Sequence, residues 1–390
     1  DGALSGSAAD LVLAFAGTVT THTGTVAVTG GAPTVAQLKT INAASTGAIT
    51  LSTHDGALSD TAANLAIALD GTINHSGTVT ISDAPSVTEL KTINTGTSGP
   101  ITLSDPAGAL SGDSTDIAYA FAGTVTEHTG AVTVTNGDYT VDELKTINAA
   151  TTGAITLNTP NVLISGNSSD ISAAFDGTIN FSGAVTITNN DYTVAELKTI
   201  NTGTTGSITL NLTNVPLSGN STDIAAAFAG TVTEHTGTIA ITNDDYTLPE
   251  LVTINDASIG AITLTTTNRP LSGTSGNLAS ALAGTINYAG AVTVTNNNYT
   301  VAELKTINAG TIGDIVLIDT GVALSGSASD TADAFAGTVT EHTGTVTVSD
   351  APTVAQLKTI NAATTGAITL STADGALSGS AADLVLAFAG

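Results

Sequence analysis

The sequence contains no cysteine, methionine or tryptophan. Without cysteine there can be no disulfide and no thiolate–metal site, and without cysteine or methionine no sulfur is open to oxidants, which suits an exposed, secreted protein. Only seven basic residues stand against 33 acidic ones, and the formal net charge is −26. Binding to nucleic acid or to an anionic membrane needs basic patches. No apolar run approaches the ~20 residues of a membrane-spanning helix. We therefore expect no nucleic-acid partner and no membrane insertion.

Hydrophobic residues are nevertheless plentiful, at 41% of 390, which is too many for a disordered acidic tail. The sequence Lys-Thr-Ile-Asn (KTIN) recurs about every 53 residues and alternates with Ala-Phe-Ala-Gly (AFAG) or a close variant. The two halves resemble each other, so the elementary unit, called a coil below, has about 27 residues, a period typical of stacked repeat proteins. The KTIN lysines are Lys39, Lys91, Lys145, Lys198, Lys305 and Lys358, and Val252 replaces the lysine in one copy.

Each coil carries the start signal of a helix. In the KTIN coils a Ser or Thr is followed three residues later by Glu or Gln, the pattern of a capping box. These pairs are Thr34/Gln37, Ser86/Glu89, Thr140/Glu143, Thr193/Glu196, Thr247/Glu250, Thr300/Glu303 and Thr353/Gln356. The AFAG coils carry a looser version: Ser7/Asp10, Asp113/Asp116, Asn167/Asp170, Asn220/Asp223 and Ser327/Asp330. The helices are short, so stacking must stabilise them.

After each helix, a glycine turn precedes a run in which β-branched apolar residues alternate with Thr or Ala. This alternation predicts strands near 131–135, 154–157, 184–188 and 207–210. We expect an α/β solenoid with a single continuous parallel sheet and short helices on one face. The loop between helix and turn is longer in the AFAG coils, which predicts two staggered rows of helices, with same-type neighbours ~9–10 Å apart. A single row on a curved sheet is the alternative.

The repeats continue along the whole chain. We expect residues 1–390 to form one continuous array of about seven 53-residue repeats. Residues 374–390 repeat the sequence of residues 1–17 identically. We therefore expect a fragment of a longer protein, whose arrays continue into one another without polar caps.

No residue is predicted to be catalytic or to bind a cofactor or a metal. The column of His22, His75, His128, His235 and His342 also contains Phe181 and Tyr288. A position that accepts phenylalanine favours packing over proton transfer or metal binding, and His54 stands alone in a turn. The Asx-rich turns at 136–138, 189–191, 243–245 and 296–298 could offer oxygens to calcium. One of them lacks a carboxylate, however, and such residues also favour a turn before a helix.

Three other recurring groups invite a structural interpretation. The asparagine that ends each KTIN helix is expected to bond the backbone of its own turn and of the next coil, as an asparagine ladder. The lysines are expected to be solvated beside Glu or Gln, and Asp116, Asp170 and Asp223 to act as capping-box members. Threonines line the sheet face away from the helices. They are either ordinary strand-forming residues, or an array that binds ice or carries O-linked glycans, or residues that pack against a second sheet. They include Thr25/Thr29, Thr133/Thr135, Thr238/Thr242 and Thr345/Thr347.

The sequence TVAELKTINAGTIG at 300–313 and ALSGSASDTADAFAGTV at 323–339 resemble the tandem repeats of giant surface proteins of cyanobacteria and other aquatic bacteria. This resemblance covers the whole chain and implies an extracellular, cell-surface location with a role in surface layers, motility or adhesion. It is specific to the repeat type and says little about role.

We expect a structural fibre or spacer module that associates with itself end to end or laterally, or that extends an adhesive tip, rather than an enzyme. Cell-surface polysaccharide is a candidate partner. The alternative is a binding module, either a calcium-dependent adhesin or an ice-binding threonine face. An enzyme resembling a polysaccharide lyase would need a singular cluster of acids and bases, whereas the acids and bases here recur.

Overall fold

The computed structural model describes residues 2–17, 20–372 and 375–389. They divide into two units, Asp1–Thr188 with Thr202–Ser207, and Asn189–Asn201 with Ile208–Gly390. The same repeat is found in both units, and one continuous array stays a prediction. Of the two identical end segments, Asp1, Asp374 and Gly390 lie outside the described residues.

Every coil begins with a short helix. The helices are α1 (Ala8–Phe15), α2 (Val35–Ala43), α3 (Ala62–Leu69), α4 (Val87–Gly96), α5 (Ser114–Phe121), α6 (Val141–Ala150), α7 (Ser168–Phe175), α8 (Val194–Gly203), α9 (Ser221–Phe228), α10 (Leu248–Asp256), α11 (Ser275–Leu282), α12 (Val301–Gly310), α13 (Ala328–Phe335), α14 (Val354–Ala363) and α15 (Ala381–Ala387). All seven predicted capping boxes form, Thr193 and Glu196 included.

Short strands lie between the helices. They are β1 (Leu4–Ser7), β2 (Val26–Thr29), β3 (Ile49–Leu51), β4 (Leu58–Asp60), β5 (Val79–Ile81), β6 (Ile101–Leu103), β7 (Leu110–Gly112), β8 (Val132–Val134), β9 (Ile155–Leu157), β10 (Ile164–Gly166), β11 (Val185–Ile187), β12 (Ile208–Leu210), β13 (Leu217–Gly219), β14 (Ile239–Ile241), β15 (Ile262–Leu264), β16 (Leu271–Gly273), β17 (Val292–Val294), β18 (Ile315–Leu317), β19 (Leu324–Gly326), β20 (Val346–Val348) and β21 (Ile368–Leu370). The four predicted strands are confirmed as β8, β9, β11 and β12. The repeat contains a third strand, such as β7, that the sequence did not predict.

The prediction of a single continuous sheet is wrong. The first unit contains the parallel three-stranded sheets β1-β2-β3, β4-β5-β6 and β7-β8-β9, and the second contains β13-β14-β15, β16-β17-β18 and β19-β20-β21. Beyond the third strand, the next coil adds one isolated bridge, as between Ile49 and Ile73. The repeat is α/β, but its sheet is interrupted once in every 53-residue repeat.

Polar side chains end the sheets. The Asn74 side chain accepts a hydrogen bond from the Leu51 amide at 2.6 Å and donates one to the Leu51 carbonyl at 3.2 Å. Thr126 does the same for β6, accepting from Leu103 and donating to Ile101. Because a side chain takes the place of a backbone partner, the ladder stops there. Parallel strands also stand ~4.8 Å apart and packed helices 8–10 Å apart, so a short sheet limits the mismatch between the two layers.

The core lies between the helices and the side of each sheet that carries Val, Ile and Leu. Val132 and Val134 of β8 are fully buried, as are Ile117 of α5 and Leu144 of α6. Thr133, between the two valines, is half-exposed on the opposite face. The alternation in the sequence therefore assigned the two faces of each predicted strand correctly.

The described helices pack against the helices next to them in the chain, α3 against α2 and α4 and α5 against α4 and α6. The close contact is made possible by glycine: a Cβ at Gly96 of α4 would lie 2.7 Å from Leu69 Cβ of α3. The predicted rows of closely spaced same-type helices are therefore wrong. The loop lengths misled because the added residues form turns between helix and strand and leave the order of helix packing unchanged.

Candidate functional site

The groups that recur in this chain lie at the contacts between neighbouring coils. The clearest contact joins a KTIN lysine to an aspartate 25 residues further on, near the start of the next helix. The pairs are Lys91–Asp116, Lys145–Asp170, Lys198–Asp223, Lys305–Asp330 (2.6 Å) and Lys358–Asp383 (3.1 Å). One prediction is wrong here, because the lysines are not simply solvated beside Glu or Gln. Asp170 and Asp223 do exchange hydrogen bonds with the asparagine that caps their own helix, and each carboxylate also binds a lysine.

The Lys145–Asp170 pair affects the titration of both its partners while remaining open to solvent. A hydrogen bond from Lys145 is the main cause that lowers the pKa of Asp170, and the same bond raises the pKa of Lys145. The side chains of the pair are 45% and 28% exposed. Salt will therefore screen them, and each pair contributes little alone. Their repetition at the same place in successive coils favours one way of stacking.

The asparagine that ends each KTIN helix caps the helix of the following coil. The Asn42 amide donates to the carbonyls of Ile67 at 2.8 Å and Asp70 at 2.7 Å. Asn148 donates in the same way to Ala173 and Asp176. The last carbonyls of a helix have no partner within it, so these amides satisfy acceptors that would otherwise face water. The predicted bond to the backbone of the next coil is confirmed, and the carbonyls that accept it lie at the end of a helix.

The Asx-rich turns cap helices too, but in the preceding coil. Asn136 Oδ1 accepts from the Ser114 amide at 2.8 Å, and Asp83 does so from the Ala62 amide at 2.7 Å. The Asn136 side-chain amide also donates to Asp138 Oδ1 at 2.7 Å. The oxygens that were considered for calcium thus serve the first amide of a neighbouring helix, a position where an accepting side chain stabilises the helix.

A capping-box glutamate extends this contact. Glu143 accepts from Ser114 at 2.9 Å, from Thr115 at 2.7 Å and from the Thr140 amide at 2.9 Å. Burial alone would raise the pKa of Glu143, but the hydrogen bonds outweigh it and the pKa is lowered. Glu143 is therefore ionised and joins two helices that belong to successive coils. Sequence reasoning recognised only its role within its own helix.

Buried tyrosines tie each of four KTIN coils to a turn about 20 residues on. Tyr139 donates to the Thr159 carbonyl and Tyr246 to the Thr266 carbonyl, both at 2.7 Å. Burial raises the pKa of Tyr139 to about 12, so the hydroxyl keeps its proton at neutral pH and can donate it to the carbonyl. No pattern in the sequence singled out these residues, because an aromatic side chain before a helix is compatible with many roles.

The histidine column is packed rather than reactive. His128 donates from Nε2 to the Gly108 carbonyl at 2.7 Å, so Nε2 is the protonated nitrogen, and the His128 ring centre lies 5.6 Å from that of Phe121. Phe181 and Tyr288 fill the same place and are 3% exposed. Burial lowers the pKa of His235 and His342. The packing interpretation of the column is confirmed, whereas the isolated His54 contacts Ser76 at 2.7 Å in an exposed turn.

The outward sheet faces carry rows of hydroxyls. Ser111, Thr133 and Thr156 are register partners on the three strands β7, β8 and β9, with Ser111 and Thr156 exposed. The equivalent residues in β4-β5-β6 are Ser59, Thr80 and Thr102. These hydroxyls lie on the outward face and offer donors and acceptors at the spacing of parallel strands, ~4.8 Å.

Within the described residues, no group of three or more His, Asp or Glu side chains is arranged to hold a metal ion. A cavity of about 500 Å³ beside Leu357, Ile368, Leu370 and Ala387 has no charged side chain in its lining. No helix in the described part of the chain combines the length and the apolar character needed to cross a membrane.

A scan against protein-family models found no match, and a search of curated proteins found no matching sequence. Function must therefore be argued from the contacts described above.

Proposed function

We propose that this chain is a structural module of an extracellular surface protein, in which stacked coils form a fibre or a spacer and carry no catalytic site. The observation that carries the proposal is the recurrence of one set of coil-to-coil contacts. The Lys–Asp pair, the asparagine on the next helix end and the Asx cap return at constant spacing, as in Lys145–Asp170 and Lys305–Asp330. Catalysis needs a singular arrangement of groups, whereas load-bearing needs many equal ones.

Each of these contacts joins successive coils, so a force along the array acts on many of them in parallel with the strand ladders. Asn148 holds the end of α7, Asn136 holds the start of α5, and the ion pairs lie between. Single contacts are weak, about 1 kcal/mol each, but a coil cannot leave without breaking several at once. This cooperation between neighbours supports a mechanical role.

The location and partners in this proposal rest on composition and on the resemblance to giant surface proteins. A chain without cysteine or methionine and with a net charge of −26 suits an oxidising, aqueous exterior. Self-association is the proposed mode of assembly.

Single-molecule stretching tests the mechanical role. With the chain held at both ends, we expect repeated force peaks, separated by the length of one 53-residue repeat or one coil. For 53 residues the fully extended length is about 180 Å. Asn148→Ala should lower one peak and leave the others unchanged. Extension without resisting force, or rupture of the whole chain in one event, would refute the proposal.

Immunogold labelling tests the location. An antibody against this chain should decorate fibres or a surface coat on intact cells that produce it, without permeabilisation. Label confined to the cell interior would contradict the extracellular assignment while leaving the mechanical test unaffected.

A binding role through the hydroxyl rows is the second candidate, and the register of Ser111, Thr133 and Thr156 favours it. Thr156→Lys places a charged side chain on this face without touching the core. If the face binds ice or polysaccharide, the wild type should inhibit ice recrystallisation or bind a glycan array, and the variant should not. Equal behaviour of both proteins in both assays would eliminate this candidate.

A further inference from the structure

One lysine departs from the pairing rule that the others follow. Lys39 meets an asparagine at the position where the other KTIN lysines meet aspartate, and its Nζ lies 2.7 Å from Asn64 Oδ1. Elsewhere the two charges are kept or lost together: where Val252 replaces the lysine, residue 277 is also uncharged, being asparagine. Lys39 keeps its amine while the residue opposite has become an amide.

Residue 60, which lies beside this amide, is an aspartate, and no other AFAG coil has a carboxylate at the equivalent position. Asp60 Oδ1 accepts a hydrogen bond from Asn64 Nδ2 at 2.8 Å. The other coils have glycine there: Gly6, Gly112, Gly166, Gly219, Gly273, Gly326 and Gly379. The hydrogen bond from Asn64 is the main cause that lowers the pKa of Asp60, and the charge of Lys39 adds to it. An amine of α2, a primary amide of α3 and a carboxylate of β4 are thus joined in one chain of contacts.

We propose that Lys39 and Asn64 are the site of an intramolecular isopeptide bond. The neutral amine of Lys39 adds to Cγ of Asn64, forming the new C–N bond. One proton passes from Nζ to Nδ2, the nitrogen on which the Asp60 carboxylate already lies, and the Cγ–Nδ2 bond breaks. Ammonia leaves, so the reaction exchanges one amide for another and needs neither oxidant nor reductant. Asp60 acts as the proton carrier between the two nitrogens.

The structure holds the amine beside its target, since Nζ lies 2.7 Å from Oδ1 of the same amide group, and a nucleophile held near its target reacts faster than one free in solution. All three side chains are partly exposed. The attacking species is a free amine, and amines of the lysine type lose their proton only in alkali, so alkaline incubation should speed the reaction. The product is a covalent tie between two successive helices in the first repeat.

Intact-mass measurement of the full chain, during incubation at about pH 9.5, tests the proposal. We expect the mass to fall by one ammonia, and protease digestion to give a branched peptide that joins the segments containing Lys39 and Asn64. An unchanged mass after prolonged incubation would overturn it. Loss of ammonia without the branched peptide would overturn it too, because a succinimide at Asn136-Gly137 loses the same mass.

The repeat provides two variants that should keep the fold, Asn64→Asp and Asp60→Gly, since each places here a residue that other coils have. Asn64→Asp recreates the Lys91–Asp116 type of pair and should abolish the loss of ammonia. Asp60→Gly recreates the glycine of the other coils and should slow the reaction at least tenfold. Lys39→Arg should abolish it. Equal ammonia loss in wild type and Lys39→Arg would show that the reaction lies elsewhere, and an unslowed Asp60→Gly would remove Asp60 from the mechanism.

Discussion

Replacing Gly153 with alanine should separate two coils that now touch at the backbone. Gly153 lies in the turn after α6 and faces Gly130 of the preceding coil. A Cβ at residue 153 would lie 2.5 Å from the Gly130 carbonyl carbon and closer still to its oxygen, whereas ordinary contacts begin at 3.4 Å. The clashing atoms are backbone, so no side chain can rotate away, and the coils must move apart by about 1 Å.

Such a shift acts on the strand ladder on either side of the turn. The Thr152 amide bonds the His128 carbonyl at 2.9 Å, and the Val132 amide bonds the Ala154 carbonyl at 3.0 Å. Loss of both hydrogen bonds costs about 2 kcal/mol, and loosened packing at Val132 and Ile155 adds a similar amount. We expect a destabilisation of about 3–5 kcal/mol, large for a single methyl group. In a repeat protein the damage should stay close to the altered coil.

Hydrogen exchange of the Thr152 and Val132 amides, together with urea denaturation, measures this effect. Gly166→Ala is the matched control, because a Cβ there meets only side chains, the nearest at 3.6 Å. The control should change stability by less than about 0.5 kcal/mol. If both variants exchange hydrogen and denature like the wild type, the close approach of the two backbones is not the reason that residue 153 must be glycine.

Three further outcomes are expected. Burial lowers the pKa of His235 and His342, so the stability that their neutral rings contribute is complete above the ordinary pKa of 6.5 and is lost as the pH falls from there through the lowered values. The melting temperature should therefore fall between about pH 8 and pH 5, and it should fall less in His235→Phe. A melting temperature that does not change with pH would contradict this. Asn148→Ala should cost about 1–2 kcal/mol in urea denaturation through the lost bonds to α7; a loss below a few tenths would show that water replaces them. Removal of divalent ions by EDTA should leave the melting temperature unchanged, and a drop of about 10 °C or more would make the Asx turns calcium sites.

Local signals in the sequence predicted the helices and many strands. Thr140 and Glu143 predict the start of α6, because a capping box involves residues only three positions apart. The alternation of apolar and polar residues around Val132 and Val134 is long enough to show the period of two that predicts a strand. β7, with the sequence Leu-Ser-Gly, has one large apolar residue in three, and no period can be read from it. Its register partner on β8 is needed to make it a strand.

Contacts between coils were harder to predict, for two different reasons. The 25-residue spacing of Lys145 and Asp170 is visible in the sequence, and the joint loss of charge at Val252 and Asn277 was a usable signal for the pairing. The end of each sheet was not predictable. Asn74 in a turn is compatible with a local backbone bond, and only the structure shows that its amide takes the ladder position beside Leu51.

The repeated contacts also limit where any specific recognition could reside. The asparagines, Asx residues, tyrosines and most lysines that recur are engaged with the neighbouring coil, as Asn136, Tyr139 and Lys145 show. A ligand that used them would have to dismantle the stack that presents them. The outward hydroxyls, such as Ser111 and Thr156, are exposed and repeat at the spacing of the strands. A partner that used these hydroxyls would meet a periodic surface, and its affinity should grow with the number of coils it spans, because each coil adds an equal and separate contact.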